Sequence, residues 1–400
     1  MQDTLFSKEE MTVYLVIFVI LSFLTVLEIY QPKVVKGRVL MILVYSLLTI
    51  VAGLRYRLGP DTISYMLLFE NKAIELSNLT YTDIFAGRYQ PGWVLLESLF
   101  KELDNWYFFQ FTISMLFHVL LFRFIWNITT NRYTYLLVYF LICYLYLATD
   151  VLRESIAIGF ISNSLLELTR GRSFRSFLFF FLAFMFHFYA LIWILFVPIL
   201  YSSRIKLVYG LLFILISLGL YLSPNATMLI NETFLLLGFV LDLGYALVAD
   251  QEMNLSGLAY YFVKLVLLLS LYALNRQLKN VNKKRMHIYS TILEIYIALF
   301  LIRMFFVPFA ERFFNYLNIL TIAVLVDWMT VYFKRFGKNL KLISVFTTIL
   351  FVFGYYMIPF VKVSETYGVR YYKIYAPYSS IIMKQKDADR EKIVKMVGKL

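Results

Sequence analysis

Residues 12–30 read TVYLVIFVILSFLTVLEIY, nineteen residues whose only charged side chain is Glu28. An unbroken apolar run of this length matches the hydrocarbon core of a bilayer, which takes about 20 helical residues. Asp3, Lys8, Glu9 and Glu10 precede it, with no basic n-region and no small-residue cleavage site, so it reads as an uncleaved first span and not a signal peptide. Similar runs recur near 37–54, 106–126, 133–149, 151–169, 174–197, 205–222, 257–275, 287–307, 313–333 and 340–361. Of the 400 residues 61% are hydrophobic and 16% charged, with a mean hydropathy of +0.73. Soluble chains run nearer roughly 45–50% apolar and 25% charged. A soluble Rossmann or barrel enzyme is excluded, as is a β-barrel, whose strands would alternate in period two. The pattern predicts an all-α polytopic integral membrane protein.

Basic residues set the direction of the spans. Lys33, Lys36 and Arg38, then Arg170, Arg172 and Arg175, then Arg276, Lys279, Lys283, Lys284 and Arg285, and finally Lys334, Arg335, Lys338 and Lys341 fall in short loops. The positive-inside bias puts all four clusters on the cytoplasmic side. Residues 223–256 hold Glu232, Asp242, Asp250 and Glu252 and no Lys or Arg, so their end belongs outside. Parity then asks for 226–248 as a further span, about twelve in all (eleven to thirteen). The net charge of +13 is thereby accounted for without nucleic acid.

This reading makes 1–361 a single transmembrane domain and 362–400 a basic tail, nine Lys/Arg against four Asp/Glu, placed outside by parity although its charge votes for inside. The outer loop 55–104 begins with a polar turn, Arg55 to Thr62. It then carries an amphipathic stretch with Trp93, Leu95, Leu96, Leu99 and Phe100 on one side and Glu97 and Lys101 on the other, as in a helix lying in the membrane interface.

Ionisable residues near membrane depth are costly and therefore functional suspects. Arg55, Arg57, Arg153, Arg303 and Arg312 all map to the outer side, where the positive-inside bias would deplete them. Guanidiniums converging there would bind phosphate or pyrophosphate, because the planar fork matches phosphoryl oxygens. The competing reading makes Arg153–Glu154 and Glu311–Arg312 parts of structural ion pairs. Asp61 and His187 are the general-base candidates, with Asp150 a weaker third. A lone histidine among aromatics, as His187 and His118 both are, is more often a hydrogen-bonded helix-contact residue than a catalyst. Three widely separated histidines and one cysteine, Cys143, offer no metal site, and no cofactor motif is present.

Several blocks resemble the EpsG family, relatives of the Wzy-type polymerases of bacterial surface polysaccharides. Ala52-Gly53-Leu54-Arg55, Arg57, Gly59-Pro60-Asp61 and Tyr65 are similar to its signature after the second span. Gln90-Pro91-Gly92-Trp93 stands where the family often has Glu-Pro-Gly, and Leu152-Arg153-Glu154-Ser155 resembles a span start in which Gln is common instead of Glu154. Phe186-His187, Glu311-Arg312 with Tyr316, and Ala376-Pro377-Tyr378 resemble later blocks, in the family's order.

The resemblance implies a metal-independent polymerase in the bacterial cytoplasmic membrane with its site facing outward. Its substrate would be an oligosaccharide repeat on undecaprenyl pyrophosphate, and the product a capsule, O-antigen or exopolysaccharide. Arg55, Arg57, Arg153 and Arg312 would hold the pyrophosphate, Asp61 or His187 would take the acceptor proton, and Tyr65, Glu154, Glu311 and Tyr316 would support them. Membrane lipid is a partner, and a chain-length regulator and a flippase fit beside it. The alternatives are a GT-C type transferase using a polyprenyl-phosphate sugar and a lipid-linked oligosaccharide flippase.

Overall fold

The computed structural model describes residues 12–85, 89–194, 255–277, 283–305, 310–364, 367–385 and 387–397. Its elements are helical, as lipid demands of any segment whose backbone polar groups must be satisfied within itself. Helices α1 (Thr12–Tyr30) and α2 (Arg38–Gly53) are followed by α3 (Pro60–Asn71) and α4 (Pro91–Lys101). Then come α5 (Trp106–Ile128), α6 (Arg132–Thr149), α7 (Leu152–Thr169) and α8 (Ser173–Phe186). After residue 254 follow α9 (Leu255–Gln277), α10 (Lys283–Phe305), α11 (Ala310–Tyr332), α12 (Lys338–Met357) and α13 (Ala388–Val397).

Among the described residues, five helical stretches are long and apolar enough to cross a membrane: Thr12–Tyr30, Trp106–Ile128, Arg132–Thr149, Arg312–Arg335 and Lys338–Met357. Shorter apolar helices lie at Arg38–Gly53, Ser173–Phe186, Phe262–Asn275 and His287–Phe300. The expected spans 205–222 and 226–248 lie outside the described residues.

The bundle is arranged with polar residues inward. Helix α7 lies at its centre, packed chiefly on α8 and α5, with Ser155, Ser162, Asn163, Ser164 and Glu167 all buried. Asn163 Nδ2 donates to the Leu120 carbonyl of α5 (2.8 Å), and Ser164 Oγ donates to the Ser176 carbonyl of α8 (2.6 Å). The outward faces of α1, α2, α8 and α12 instead show apolar stripes, such as Leu15, Val19 and Phe23 on α1. Stripes of this kind would be a liability in water and are the natural surface toward lipid chains.

The two ends differ. At one, which we call the basic end, buried Glu167 takes Arg123 (2.6 Å), Arg170 (3.4 Å) and Arg172 (3.4 Å). There, too, Glu28 of α1 caps α6, accepting from the Tyr133 N–H (3.1 Å), the Thr134 N–H (2.9 Å) and the Thr134 hydroxyl (2.8 Å). At the opposite end, the loop end, α2 runs into the turn 54–59 and α6 into Asp150.

Three expectations need correction. Residues 174–197 were expected as one span, but α8 stops at Phe186. His187 is extended (φ −155°, ψ 127°), and Phe188–Leu191 is a single 3₁₀ turn. Trp93 does not share a face with Leu95 and Leu99. Along α4 Trp93, Glu97 and Ser98 are buried while Leu95 and Leu99 are exposed, because positions four apart stack on one side of a helix. The turn at 55–62 is not polar surface. Arg55, Tyr56, Leu58 and Thr62 are buried beneath the C-terminal segment, whose Ser379 carbonyl accepts from Tyr56 N (2.8 Å) and whose Ile381 N donates to the Leu54 carbonyl (2.8 Å).

Candidate functional site

At the loop end the starts of α3, α7 and α11, the inner face of α4 and the break after α8 meet. Two close approaches allow this. Gly59 adopts φ +83°, and a Cβ there would lie 2.6 Å from the Thr149 carbonyl; at Gly92 a Cβ would lie 2.7 Å from the Met185 carbonyl. A side chain at either position would push α3 away from Asp150 or α4 away from α8.

Arg153 stands in the first turn of α7. Its Nη1 donates to Gln90 Oε1 (2.9 Å), its Nε to Tyr65 Oη (3.3 Å), and its guanidinium lies 3.9 Å from the Tyr89 ring centre. No carboxylate pairs with it among the described residues. Its plane is held by an amide and two phenols, partners that orient a guanidinium without neutralising it. Glu154, next in sequence, turns to α11, accepting from Arg312 Nη1 (3.0 Å) and Asn315 Nδ2 (2.8 Å). An ion pair between helices, as the competing reading expects, therefore exists and joins Glu154 to Arg312. Glu154 is 2% exposed and Arg312 40%, so the guanidinium keeps a wet side.

His187 sits at the break where α8 ends. Its Nδ1 is 2.9 Å from Tyr316 Oη, and its ring stacks with Tyr189 and Tyr316. The charges of Arg153 and Arg312 both reach it, and both reach Tyr316. Asp61, in the first turn of α3, is half-buried; its charge acts on Arg153, Arg312 and Glu154. Its backbone N–H donates to Asp150 Oδ1 (2.8 Å), while its own carboxylate makes no hydrogen bond among the described residues. Asp61, Tyr65, Arg153, Glu154, His187, Arg312 and Tyr316 thus form one electrostatic neighbourhood.

The structure does not bring Arg55 or Arg57 into it. Arg55 is fully buried, its Nε bonded to the Thr149 carbonyl (3.0 Å), its Nη2 to Thr62 Oγ1 (3.1 Å), and its Nη1 to Ser114 Oγ (3.3 Å) and the Ala52 carbonyl. Burial lowers it to about 10, so it stays charged at neutral pH, but its donors are spent on backbone and hydroxyls. The physical reason is the C-terminal cover over the 54–59 turn, which leaves this side chain no direction but inward. Arg57 pairs with Glu391 of α13 (3.6 Å) and lies over the Tyr56 ring. The side chains of Glu311 and Arg303 lie outside the described residues. His118 is a helix-contact residue, with Nδ1 2.9 Å from the Ser114 carbonyl.

The chain matches the EpsG family over residues 38–380. It belongs to the EpsG family. It matches no curated relative and no solved structure. Membership links this EpsG-family protein to exopolysaccharide biosynthesis and agrees with its apolar helices.

Sequence reasoning missed several groups around the cluster. Asn315 lies three residues beyond Arg312 on the same face of α11, a spacing that could have flagged it. Gln90 was noted as a replaced acid but not as the acceptor for Arg153. Glu97 was assigned to the wrong side of α4; it is buried, within reach of the Arg153 charge, and burial raises it to about 7. Four-residue spacing from Trp93 was the available signal. Tyr89 carries no such signal, since only the fold brings its ring against Arg153.

Proposed function

We propose that this EpsG-family protein polymerises oligosaccharide repeat units carried on undecaprenyl pyrophosphate, in the bacterial cytoplasmic membrane. The chain would cross about twelve times with the loop end outside. The observation that carries this reading is Arg153, oriented by Gln90, Tyr65 and Tyr89 and paired with no carboxylate among the described residues, in the same neighbourhood as half-exposed Arg312.

In the reaction the acceptor hydroxyl oxygen bonds to the anomeric carbon of the growing chain. The bond from that carbon to the pyrophosphate oxygen breaks, and its electron pair leaves with undecaprenyl pyrophosphate. Arg153 and Arg312 stabilise the charge that develops on the phosphoryl oxygens, the largest kind of contribution a preorganised site makes. Phosphoryl oxygens compete with Glu154 for Arg312, so the exposed side of that guanidinium is the one that serves. The proton passes to the Asp61 carboxylate or to His187. For His187 to accept it, Nδ1–H must donate to Tyr316 Oη, which leaves the Nε2 lone pair for the acceptor.

The test is complementation of a host that makes the cognate lipid-linked repeat but lacks its own polymerase. A ladder of surface glycan with the wild-type chain supports the reading. A single repeat reaching the surface with no ladder rejects it and favours the flippase.

A further inference from the structure

Asp150 lies between α6 and α7, where the chain reverses at the loop end, and is 6% exposed. One carboxylate oxygen, Oδ1, accepts the Asp61 N–H at the start of α3 (2.8 Å). The other, Oδ2, accepts the hydroxyl of Tyr375 from the C-terminal segment (3.0 Å). Tyr375 is itself fastened: its carbonyl accepts from Tyr14 Oη of α1 (2.9 Å), and it is buried. On either side the segment is tied down by Ser379 to Tyr56, Ile381 to Leu54, and the Tyr378 hydroxyl to the Val51 carbonyl (3.0 Å). A two-link chain thus runs from residue 375 through residue 150 to residue 61, spanning 225 positions of sequence in its first link.

We infer that Asp150 and Tyr375 are positioning residues for Asp61, and that the C-terminal segment carrying Tyr375 is part of the loop-end site. Thr62 Oγ1 also ties the start of α3 to the Thr149 and Asp150 carbonyls (2.9 and 3.0 Å), and among the described residues the Asp150 carboxylate is the hydrogen-bond partner of Asp61 itself. Gly59 before it is at φ +83°, Pro60 has no N–H, and the Asp61 carboxylate makes no hydrogen bond among the described residues. With the Tyr375 hydroxyl holding it, the Asp150 carboxylate is fixed in the orientation that receives the Asp61 N–H. Without that hydroxyl the carboxylate can rotate and the first turn of α3 can shift. A shift of about 1 Å at a reacting group costs up to roughly a hundredfold in rate. That a displaced Asp61 slows a reaction rests on the polymerase reading; that Asp150 and Tyr375 hold it does not.

Asp150 also gives the positioning a pH dependence. Four groups face it: Asp61 on α3, Arg55 before α3, Tyr146 on α6 and Tyr375. Burial, and then the Asp61 charge, raise its carboxyl, while the Tyr375 hydroxyl and Arg55 work in the opposite direction. Removing that hydroxyl raises it further, so protonation begins at a higher pH.

Two measurements on the full chain in membranes test this. In a Cys143→Ser, Asp61→Cys background, the rate of labelling by a membrane-impermeant thiol reagent is compared with and without Tyr375→Phe. A second reporter, Ser77→Cys in the exposed 76–78 turn, controls for reagent access and protein level. The expected result is a change of about fivefold or more at position 61 with none at position 77. An unchanged rate at 61, or equal changes at both, overturns the inference. In polymerisation with the cognate lipid-linked repeat, Tyr375→Phe is expected to lower kcat about tenfold with KM within about twofold. The acid limb of the pH profile should move to higher pH. Unchanged kcat and profile likewise overturn it. If the wild-type chain makes no polymer, the polymerase reading fails, and the labelling comparison still decides the positioning.

Discussion

Arg55 and Arg153 stand at the same end of the molecule, and both were read from sequence as anion ligands. Arg55 is enclosed by the carbonyls of Thr149 and Ala52 and the hydroxyls of Thr62 and Ser114. Arg153 is braced by Gln90, Tyr65 and Tyr89. The difference teaches that partner type, more than position, tells a structural arginine from one free for a ligand. Two backbone carbonyls and two hydroxyls fasten the first into the fold. One amide and aromatic walls orient the second, which makes no ion pair with a carboxylate among the described residues.

The largest expected effect breaks this contrast if it fails. Arg55→Ala leaves buried acceptors unpaired, at about 3 kcal/mol or more. The protein should then be depleted from the membrane or lose its detergent melting transition. Arg153→Ala should instead leave membrane levels and melting near wild type while polymer formation falls about a hundredfold or more. Next, Arg153→Lys keeps the charge but loses the planar fork and the fit against Tyr89, and should retain roughly a tenth of the activity. Were Lys as good as Arg, the site would need charge alone.

Tyr316→Phe sharpens the assignment of the base. It removes the partner of His187 Nδ1 and should lower kcat about three- to tenfold if His187 takes the proton, with little effect if Asp61 does. The smallest effect concerns Glu97, raised by burial from the usual carboxyl range to about 7. A folded-state value above the unfolded one means that the folded protein binds the extra proton. Stability falls as pH rises through that interval, and the penalty is complete above about 7. Glu97→Gln should therefore raise the melting temperature by a few degrees at pH 8 and leave it unchanged near pH 4.5.

The helical membrane class was legible because apolar runs are written continuously and lipid permits them one conformation. The cluster was legible in part. Arg153, Glu154, His187, Arg312 and Tyr316 are brought together by helix starts and one helix break, features that short blocks of sequence mark. Arg55 misled because the same residue type serves both purposes, and the segment that buries it lies more than 300 positions away. The Tyr375–Asp150 link was hidden for the same reason: no local periodicity joins residues 225 apart. The break at His187 was hidden because Phe184, Phe186 and Phe188 continue an apolar pattern across it.

The central claim is that Arg153 does chemistry where Arg55 holds the fold. Its most direct test expresses wild type, Arg55→Ala, Arg153→Ala and Arg312→Ala in the polymerase-deficient host. Surface glycan is resolved beside an immunoblot of each membrane fraction. The expected result is a ladder with wild type, a single repeat at full protein level with Arg153→Ala and Arg312→Ala, and reduced protein with Arg55→Ala. A ladder that survives Arg153→Ala and Arg312→Ala at normal protein level would contradict it.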